Sequence, residues 1–206
     1  MQRLLCNRCG DSIHPDPAAR NAGLCIPCTR GNQLSIEQRM ERRKQEREAE
    51  RAWRESPEWK YWTSLVDRVY KKVGGFEALS RGDQLYFLVN VLNGEVHNGG
   101  FSQFFSNTSG NRYRETISAL AELDASSVAA LLQEAKRVLF GIAEVPLGQV
   151  ERYHLMVTSS EDHPEYAAAN ALLDELDKQF YAMSDDVAAL LSQVAKSHGL
   201  YVASDA

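Results

Sequence analysis

The four cysteines are the feature that most constrains how this 206-residue chain folds, because all of them lie near its N-terminus. They form two Cys-x2-Cys pairs separated by fifteen residues. Two residues between thiolates let one tight turn aim both sulfurs at one ion, and two such turns complete a tetrahedral zinc site. We therefore predict a Zn²⁺ site whose ligands are Cys6, Cys9, Cys25 and Cys28.

Two disulfides or a redox pair are the competing interpretations of these cysteines, and the sequence favours neither, since it shows no sign of secretion and no βαβ pattern. His14 is a further candidate ligand, but four thiolates already close the site. A closed site leaves no position for water, so the predicted metal is structural rather than catalytic. Pro15 and Pro17 are expected to exclude a base-reading finger helix between the two pairs.

Charge divides the chain into a basic front and an acidic body. Residues 1–72 hold 15 Lys/Arg against 10 Asp/Glu, and residues 73–206 hold 8 against 18, which gives +5 and −10. The longest strongly apolar stretch, residues 85–92, is too short to span a bilayer, and the first residues do not form a signal peptide. We expect a cytoplasmic protein with three parts: a zinc module at 1–33, a charged helical linker at 34–56 and an acidic domain at 57–206.

The linker is predicted to be a solvated helix. Ser35 to Gln38 is a capping-box start, and residues 36–55 are almost entirely strong helix formers. Arginines recur at every fourth position from Arg39 to Arg51, so a surface that follows nucleic-acid phosphates is the alternative interpretation. Ser56 and Pro57 then predict the N-cap and first residue of another helix, which Gly74 and Gly75 end.

The acidic domain is predicted to be all-α. Apolar residues recur at helical spacing, and no alternating strand pattern appears between hairpin turns. The predicted fold class is therefore a multi-helix bundle preceded by the cysteine module and the charged helix. Its helices are expected at residues 82–97, 99–106, 112–123, 125–140, 147–158, 165–182 and 185–197.

The most distinctive segment of the domain is an Asn-Gly-Gly-Phe-x-Gln-Phe-Phe-x-Asn-x-x-Gly motif at residues 98–110. On this motif the chain resembles the DNA-mimic protein family, more loosely over residues 57–200. The resemblance implies an acidic helical domain whose carboxylates imitate DNA phosphates and occupy a DNA-binding protein. The signature residues are Asn98, Gly99, Gly100, Phe101, Gln103, Phe104, Phe105, Asn107 and Gly110.

The residues of this signature predict an architectural role. The two glycines permit a sharp turn between helices, and the three phenylalanines, at i, i+3 and i+4, point into the core. The Asn and Gln side chains are expected to cap backbone groups that the turn exposes. An acid–base pair of Glu95 and His97 is the catalytic alternative, but residues two apart on a helix face away from each other. We therefore predict a protein that is not an enzyme.

Surplus negative charge on the helices is the predicted basis of function. For any single acid, helix capping or solubility is explanation enough, so the regional excess carries the hypothesis of a basic, DNA-binding protein partner. The alternatives are an adaptor that binds nucleic acid through residues 1–55, and an immunity protein against a basic nuclease toxin. The candidate partner-binding acids are Glu161, Asp162, Glu165, Asp174, Glu175, Asp177, Asp185 and Asp186.

Overall fold

The computed structural model describes residues 3–31, 36–157 and 164–202. The chain divides into two compact units, Met1–Trp59 and Lys60–Ala206. The three-part division drawn from the sequence stays a prediction. The described residues are mostly helical and their strands form one two-stranded sheet, which confirms the all-α fold class with the clustered cysteines preceding the helical domain.

The N-terminal unit begins with a small antiparallel sheet, in which β1 (Leu4–Leu5) pairs with β2 (Ser12–Ile13). Helix α1 (Pro15–Arg20) and the single turn α2 (Ile26–Thr29) follow. The assumption that Pro15 and Pro17 break a helix here is wrong, whereas the absence of a base-reading finger helix stays a prediction. Pro15 and Pro17 lie in the first turn of α1, where the missing N–H groups would have no intrahelical partner anyway.

The linker forms a helix within the predicted limits, α3 (Ile36–Glu55). Ser35, its predicted N-cap, lies outside the described residues. Helix α4 (Pro57–Lys71) begins as predicted, because the Ser56 hydroxyl accepts the Trp59 N–H at 3.1 Å.

The described part of the C-terminal unit contains most of α4, six further α-helices and two short 3-10 helices (Gly75–Ala78 and Thr108–Arg112), and the predicted spans agree with the α-helices to within about three residues. The exception is that the first two predicted helices form one kinked helix, α5. The helices are α5 (Arg81–Ser106), α6 (Tyr113–Glu122), α7 (Ser126–Phe140), α8 (Gln149–Val157), α9 (Pro164–Ala182) and α10 (Ser184–His198).

Helix α5 is the centre of the C-terminal core. It contributes the largest set of buried apolar side chains, and α6, α7, α9 and α10 pack around it. Phe101, Phe104 and Phe105 are buried, which confirms their predicted direction. Val73 is fully exposed, because α4 ends at Lys71, two residues before it.

Candidate functional site

The four cysteines lie close enough together to hold a metal ion. Their Sγ atoms all lie within 4.8 Å of one another, and the Sγ atoms of Cys9 and Cys25 are 3.7 Å apart. Sulfurs arranged as a tetrahedron about Zn²⁺, at ~2.3 Å from the ion, would be ~3.8 Å apart. The cluster therefore has the size of a four-thiolate site. Cys6, Cys25 and Cys28 are buried, and none of the four is in a disulfide.

Local backbone groups prepare these sulfurs for a cation. The Cys25 N–H donates to the Cys6 Sγ at 3.2 Å. Burial alone would raise the pKa of Cys6, but N–H donors from Cys25, Arg8 and Cys9 outweigh it and lower the pKa to about 6. Burial and the neighbouring thiols raise the pKa of Cys28. Without a cation the Cys28 thiol therefore stays protonated, and metal binding there would release its proton.

His14 is not part of this cluster. Its ring Nδ1 accepts the Asp16 N–H at 3.4 Å, so that His14 caps α1. Two arginines instead form hydrogen bonds within the cysteine module. Arg8 donates to the Cys28 carbonyl at 3.0 Å, and Arg39 of α3 donates to the Asp11 carboxylate at 2.5 Å. The first turn of the linker helix is thus tied to the cysteine module.

The glycine pair of the signature produces a kink in α5. Gly100 has φ +74° and ψ −177°, an angle pair that L side chains rarely adopt. A Cβ at Gly100 would lie 2.1 Å from the Asp177 Oδ2, so glycine here also makes room for a carboxylate from α9. That carboxylate accepts the Phe101 N–H at 2.8 Å.

The polar signature residues do not cap the backbone at the kink, so this part of the prediction is wrong. Gln103 and Asn107 donate to the Glu95 Oε2 at 2.6 and 2.9 Å. Asn98 donates to the Gln103 side-chain oxygen at 3.1 Å. The three amides therefore form a half-buried network around the Glu95 carboxylate, and the amide donors replace the water that this carboxylate loses.

The last signature residue, Gly110, makes room for an arginine that the sequence did not single out. Arg152 of α8 is completely buried, and its donors reach the carbonyls of Phe105 and Asn107, both at 2.7 Å, and those of Pro146 and Leu147. A Cβ at Gly110 would lie 2.8 Å from the Arg152 Nε. Burial lowers the pKa of Arg152, and carbonyls at the end of α5 compensate its charge.

The proposed acid–base pair is not assembled. His97 Nδ1 lies 2.9 Å from the Asn93 carbonyl oxygen, and Nε2 lies 3.0 Å from the Ser184 Oγ. Glu95 bonds instead to Gln103 and Asn107. Among the hydrogen bonds of the described residues, none joins Glu95 to His97.

The predicted partner-binding acids fall into three groups. Glu161, Asp162 and the side chain of Glu165 lie outside the described part of the molecule. Asp177 is half-buried against Gly100, so its carboxylate serves the fold. The remaining four are exposed where α9 leads into α10, and we call them the acidic corner: Asp174, Glu175, Asp185 and Asp186.

The acidic corner differs from the other acids of the domain in its ion pairs. Between Glu77 and Glu144 most acids have an arginine partner, as in Arg81–Glu122, Arg137–Glu134 and Arg114–Glu144. Glu175 makes a long, exposed contact to Lys178 at 3.6 Å. Within the described ranges Asp174, Asp185 and Asp186 make no ion pair.

Two further exposed acids, Asp124 and Glu151, also make no ion pair in the part of the chain that the structure describes. Each is the only carboxylate of its turn or helix. Within the C-terminal unit, the acidic corner is therefore the described set in which several exposed carboxylates of consecutive helices lack an arginine partner. Asp185 and Asp186 also lie in the first turn of α10, where the helix dipole favours negative charge.

Fold and sites together define an all-helical domain with an exposed acidic corner, joined to a four-cysteine module. The chain belongs to the DMP19-like protein family, whose model matches residues 77–198. DMP19 is a DNA-mimic family and not a class of enzymes. The match covers the signature motif at residues 98–110 and the acidic corner, and it begins after the cysteine module. No curated protein and no solved structure shows significant similarity to the chain.

Membrane insertion finds no support in the helices, because none in the described ranges is both long and apolar enough to cross a bilayer.

Proposed function

We propose that the helical domain binds a basic, DNA-binding protein by presenting carboxylates in place of DNA phosphates, and that it catalyses no reaction. The observation that carries this proposal is the contrast between the acidic corner and the arginine-paired acids of residues 77–144. Membership of a DNA-mimic family supports it.

Repulsion between the carboxylates of the acidic corner favours binding of a basic partner. Like charges held close together raise the energy of the free protein, and a basic partner lowers it. Asp174 lies eight residues before the end of α9, so the corner extends ~12 Å along that helix before α10 begins. An acid that already pairs with arginine contributes less binding free energy, because its ion pair would first have to break.

For the cysteine module we propose a structural Zn²⁺ bound by Cys6, Cys9, Cys25 and Cys28. Support comes from the sulfur spacing, from the N–H donor to Cys6 and from the scarcity of other buried side chains around the cluster. The ion would tie the two Cys-x2-Cys turns together. Metal analysis of the purified chain tests this, and one zinc per chain is the expected content.

Nucleic-acid binding by α3 is a second candidate function, and it has an observation of its own. Arg43, Arg47 and Arg51 are exposed at every fourth residue and make no ion pair among the described residues, whereas Arg42 and Arg54 pair with glutamates. A gel shift of duplex DNA with the full chain, compared with the variant R43Q/R47Q/R51Q, tests this. The candidate predicts a shift that the substitutions abolish.

The main proposal is tested by displacement from immobilised DNA. Native lysate is bound to double-stranded DNA-cellulose at low salt and eluted with the full chain. We expect the wild type to release a basic DNA-binding protein and the variant D174N/D185N/D186N to fail. The matched control E122Q/E134Q/E144Q removes three charges that pair with arginine and should release the same protein.

Equal release by the two variants would contradict the assignment of binding to the acidic corner. If the wild type releases nothing, the DNA-mimic function itself is wrong for this chain. A nuclease among the released proteins would favour the immunity alternative within the same class.

A further inference from the structure

Asp177 differs from the exposed acids predicted to contact a partner, because its half-buried carboxylate bonds to the main chain of α5. Its Oδ1 accepts the Phe101 N–H directly after the kink in α5, and Gly100 leaves the space that the carboxylate occupies. Donor and acceptor are 76 residues apart in the chain. This contact therefore fixes where α9 lies along α5.

A second contact lies one turn further along α9, on the other side of the kink. The Tyr181 hydroxyl donates to the Val96 carbonyl at 3.0 Å. Between them Phe180 packs edge-on against Phe101, with ring centroids 5.6 Å apart. Helix α9 is thus fastened to main-chain groups of α5 both before and after Gly99–Gly100.

The start of α10 is held by the same part of α5. The His97 Nε2 lies 3.0 Å from the Ser184 Oγ, and Ser184 donates in turn to the Tyr181 carbonyl at 2.6 Å. Asp185 and Asp186 follow directly. Residues 96–101 of α5 therefore support both helices that carry the acidic corner.

The bond to Phe101 requires an acceptor oxygen but no negative charge. Burial and the nearby Asp174 raise the pKa of Asp177, against the opposing effect of the Phe101 N–H. Asparagine has the same shape and offers the same kind of oxygen without the charge. An asparagine at position 177 would therefore keep the hydrogen bond to Phe101 while removing the negative charge.

We propose that Asp177 is a positioning residue of the acidic corner: seated over Gly100 and bonded to the Phe101 N–H, it holds the α9–α10 acids in place and does not itself contact the partner. This inference rests on the proposed function for its partner-binding half. The positioning of α9 by Asp177 is argued from the geometry alone.

The test compares Asp177→Asn with Asp177→Ala, with Asp174→Asn as the matched control on the exposed face of α9. Hydrogen exchange of the Phe101 amide measures whether its hydrogen bond to residue 177 is kept, and displacement from DNA-cellulose measures partner binding. D177N is expected to keep Phe101 protected and to displace as wild type does, whereas the exposed control D174N is expected to displace less. D177A is expected to exchange Phe101 at least about tenfold faster and to displace less.

Each outcome bears on one half. If D177N keeps Phe101 protected but displaces as poorly as D174N, Asp177 is a contact residue and the proposal is overturned. If Phe101 exchanges at the wild-type rate in D177A, or loses its protection in D177N, then Asp177 does not position α9, whatever the displacement result. If D177A does not fold, D177N alone still tests whether Asp177 positions α9 or contacts the partner. If the wild type displaces no protein, only the proposed function is contradicted.

Discussion

In the N-terminal unit three of the five buried side chains of the described residues are cysteines, whereas the C-terminal unit buries a large set of aliphatic and aromatic side chains around α5. Hydrophobic burial stabilises the second unit in the ordinary way. The first has too little apolar area for that, so its order depends on what joins its four sulfurs. The two units should therefore lose their structure under different conditions.

Metal removal is expected to have the largest effect and to separate the units completely. Structural zinc contributes on the order of 10 kcal/mol to the folding of a module of this size. A chelator, or Cys28→Ser, should abolish the module's structure and leave the helical domain folded, as measured by NMR amide dispersion. The exposed change Arg20→Ser is the control, and simultaneous loss of both units would break the comparison.

A cavity in the C-terminal core should have the converse effect. Phe104 is buried against Phe105, so Phe104→Ala is expected to lower the free energy of unfolding of the domain by about 3–5 kcal/mol. Denaturant titration measures the loss, and the zinc content should not change. Val73→Ala, at an exposed position, should alter the unfolding free energy by less than about 0.5 kcal/mol.

Removing the Glu95 carboxylate should cost less than the cavity. Glu95→Ala leaves the amides of Gln103 and Asn107 without their acceptor, which is expected to cost about 1–3 kcal/mol of unfolding free energy. Glu151→Ala, an exposed acid without an ion pair among the described residues, is the matched control in the same titration. Equal small losses in both variants would mean that water replaces the carboxylate and that the network does not stabilise the kink.

Acid should weaken the C-terminal unit through Asp83. Burial alone would raise its pKa, but donors from Arg68, Tyr61 and Ser80 hold the pKa of Asp83 well below its usual range. A carboxyl whose folded pKa is depressed stabilises the fold above its unfolded pKa, and this contribution begins to fall below about pH 4 and is lost fully only as pH passes through the lower folded pKa.

Since Arg68 is more than a third exposed, screening limits the contribution of Asp83 to on the order of 1 kcal/mol. Denaturant midpoints at pH 7 and pH 3 measure the loss, which should be smaller in Asp83→Asn. Asp177 has the opposite sign, because its raised pKa makes the folded domain gain from protonation. An equal acid loss in wild type and D83N would show that other carboxylates govern the transition.

Local spacing predicted most of the fold. The Cys-x2-Cys pairs, the Ser56–Pro57 helix start and the apolar stripes each depend on residues within a turn or two, and each appears in the structure as expected. The failures depend on distant partners. Nothing near Gly100 or Gly110 in sequence indicates that Asp177 and Arg152 occupy the space beside them.

The same distance explains the mixed outcome for the acidic surface. Composition revealed the excess of carboxylates but not which of them pair with arginine, since Arg81–Glu122 and Arg114–Glu144 join separate elements. Gln103 and Asn107 were expected to bond to nearby backbone, and they bond instead to Glu95, which precedes the kink in α5 by several residues while they follow it.

The most direct test of the account is the affinity of the chain for the protein that it releases from DNA, measured by calorimetry for wild type, D174N/D185N/D186N and E122Q/E134Q/E144Q at two salt concentrations. Three exposed charges at ~0.2–1 kcal/mol each predict that the first variant binds about tenfold more weakly at low salt, with a smaller difference at high salt. The second variant should bind like wild type. Equal affinities for all three proteins would show that the acidic corner does not bind the partner.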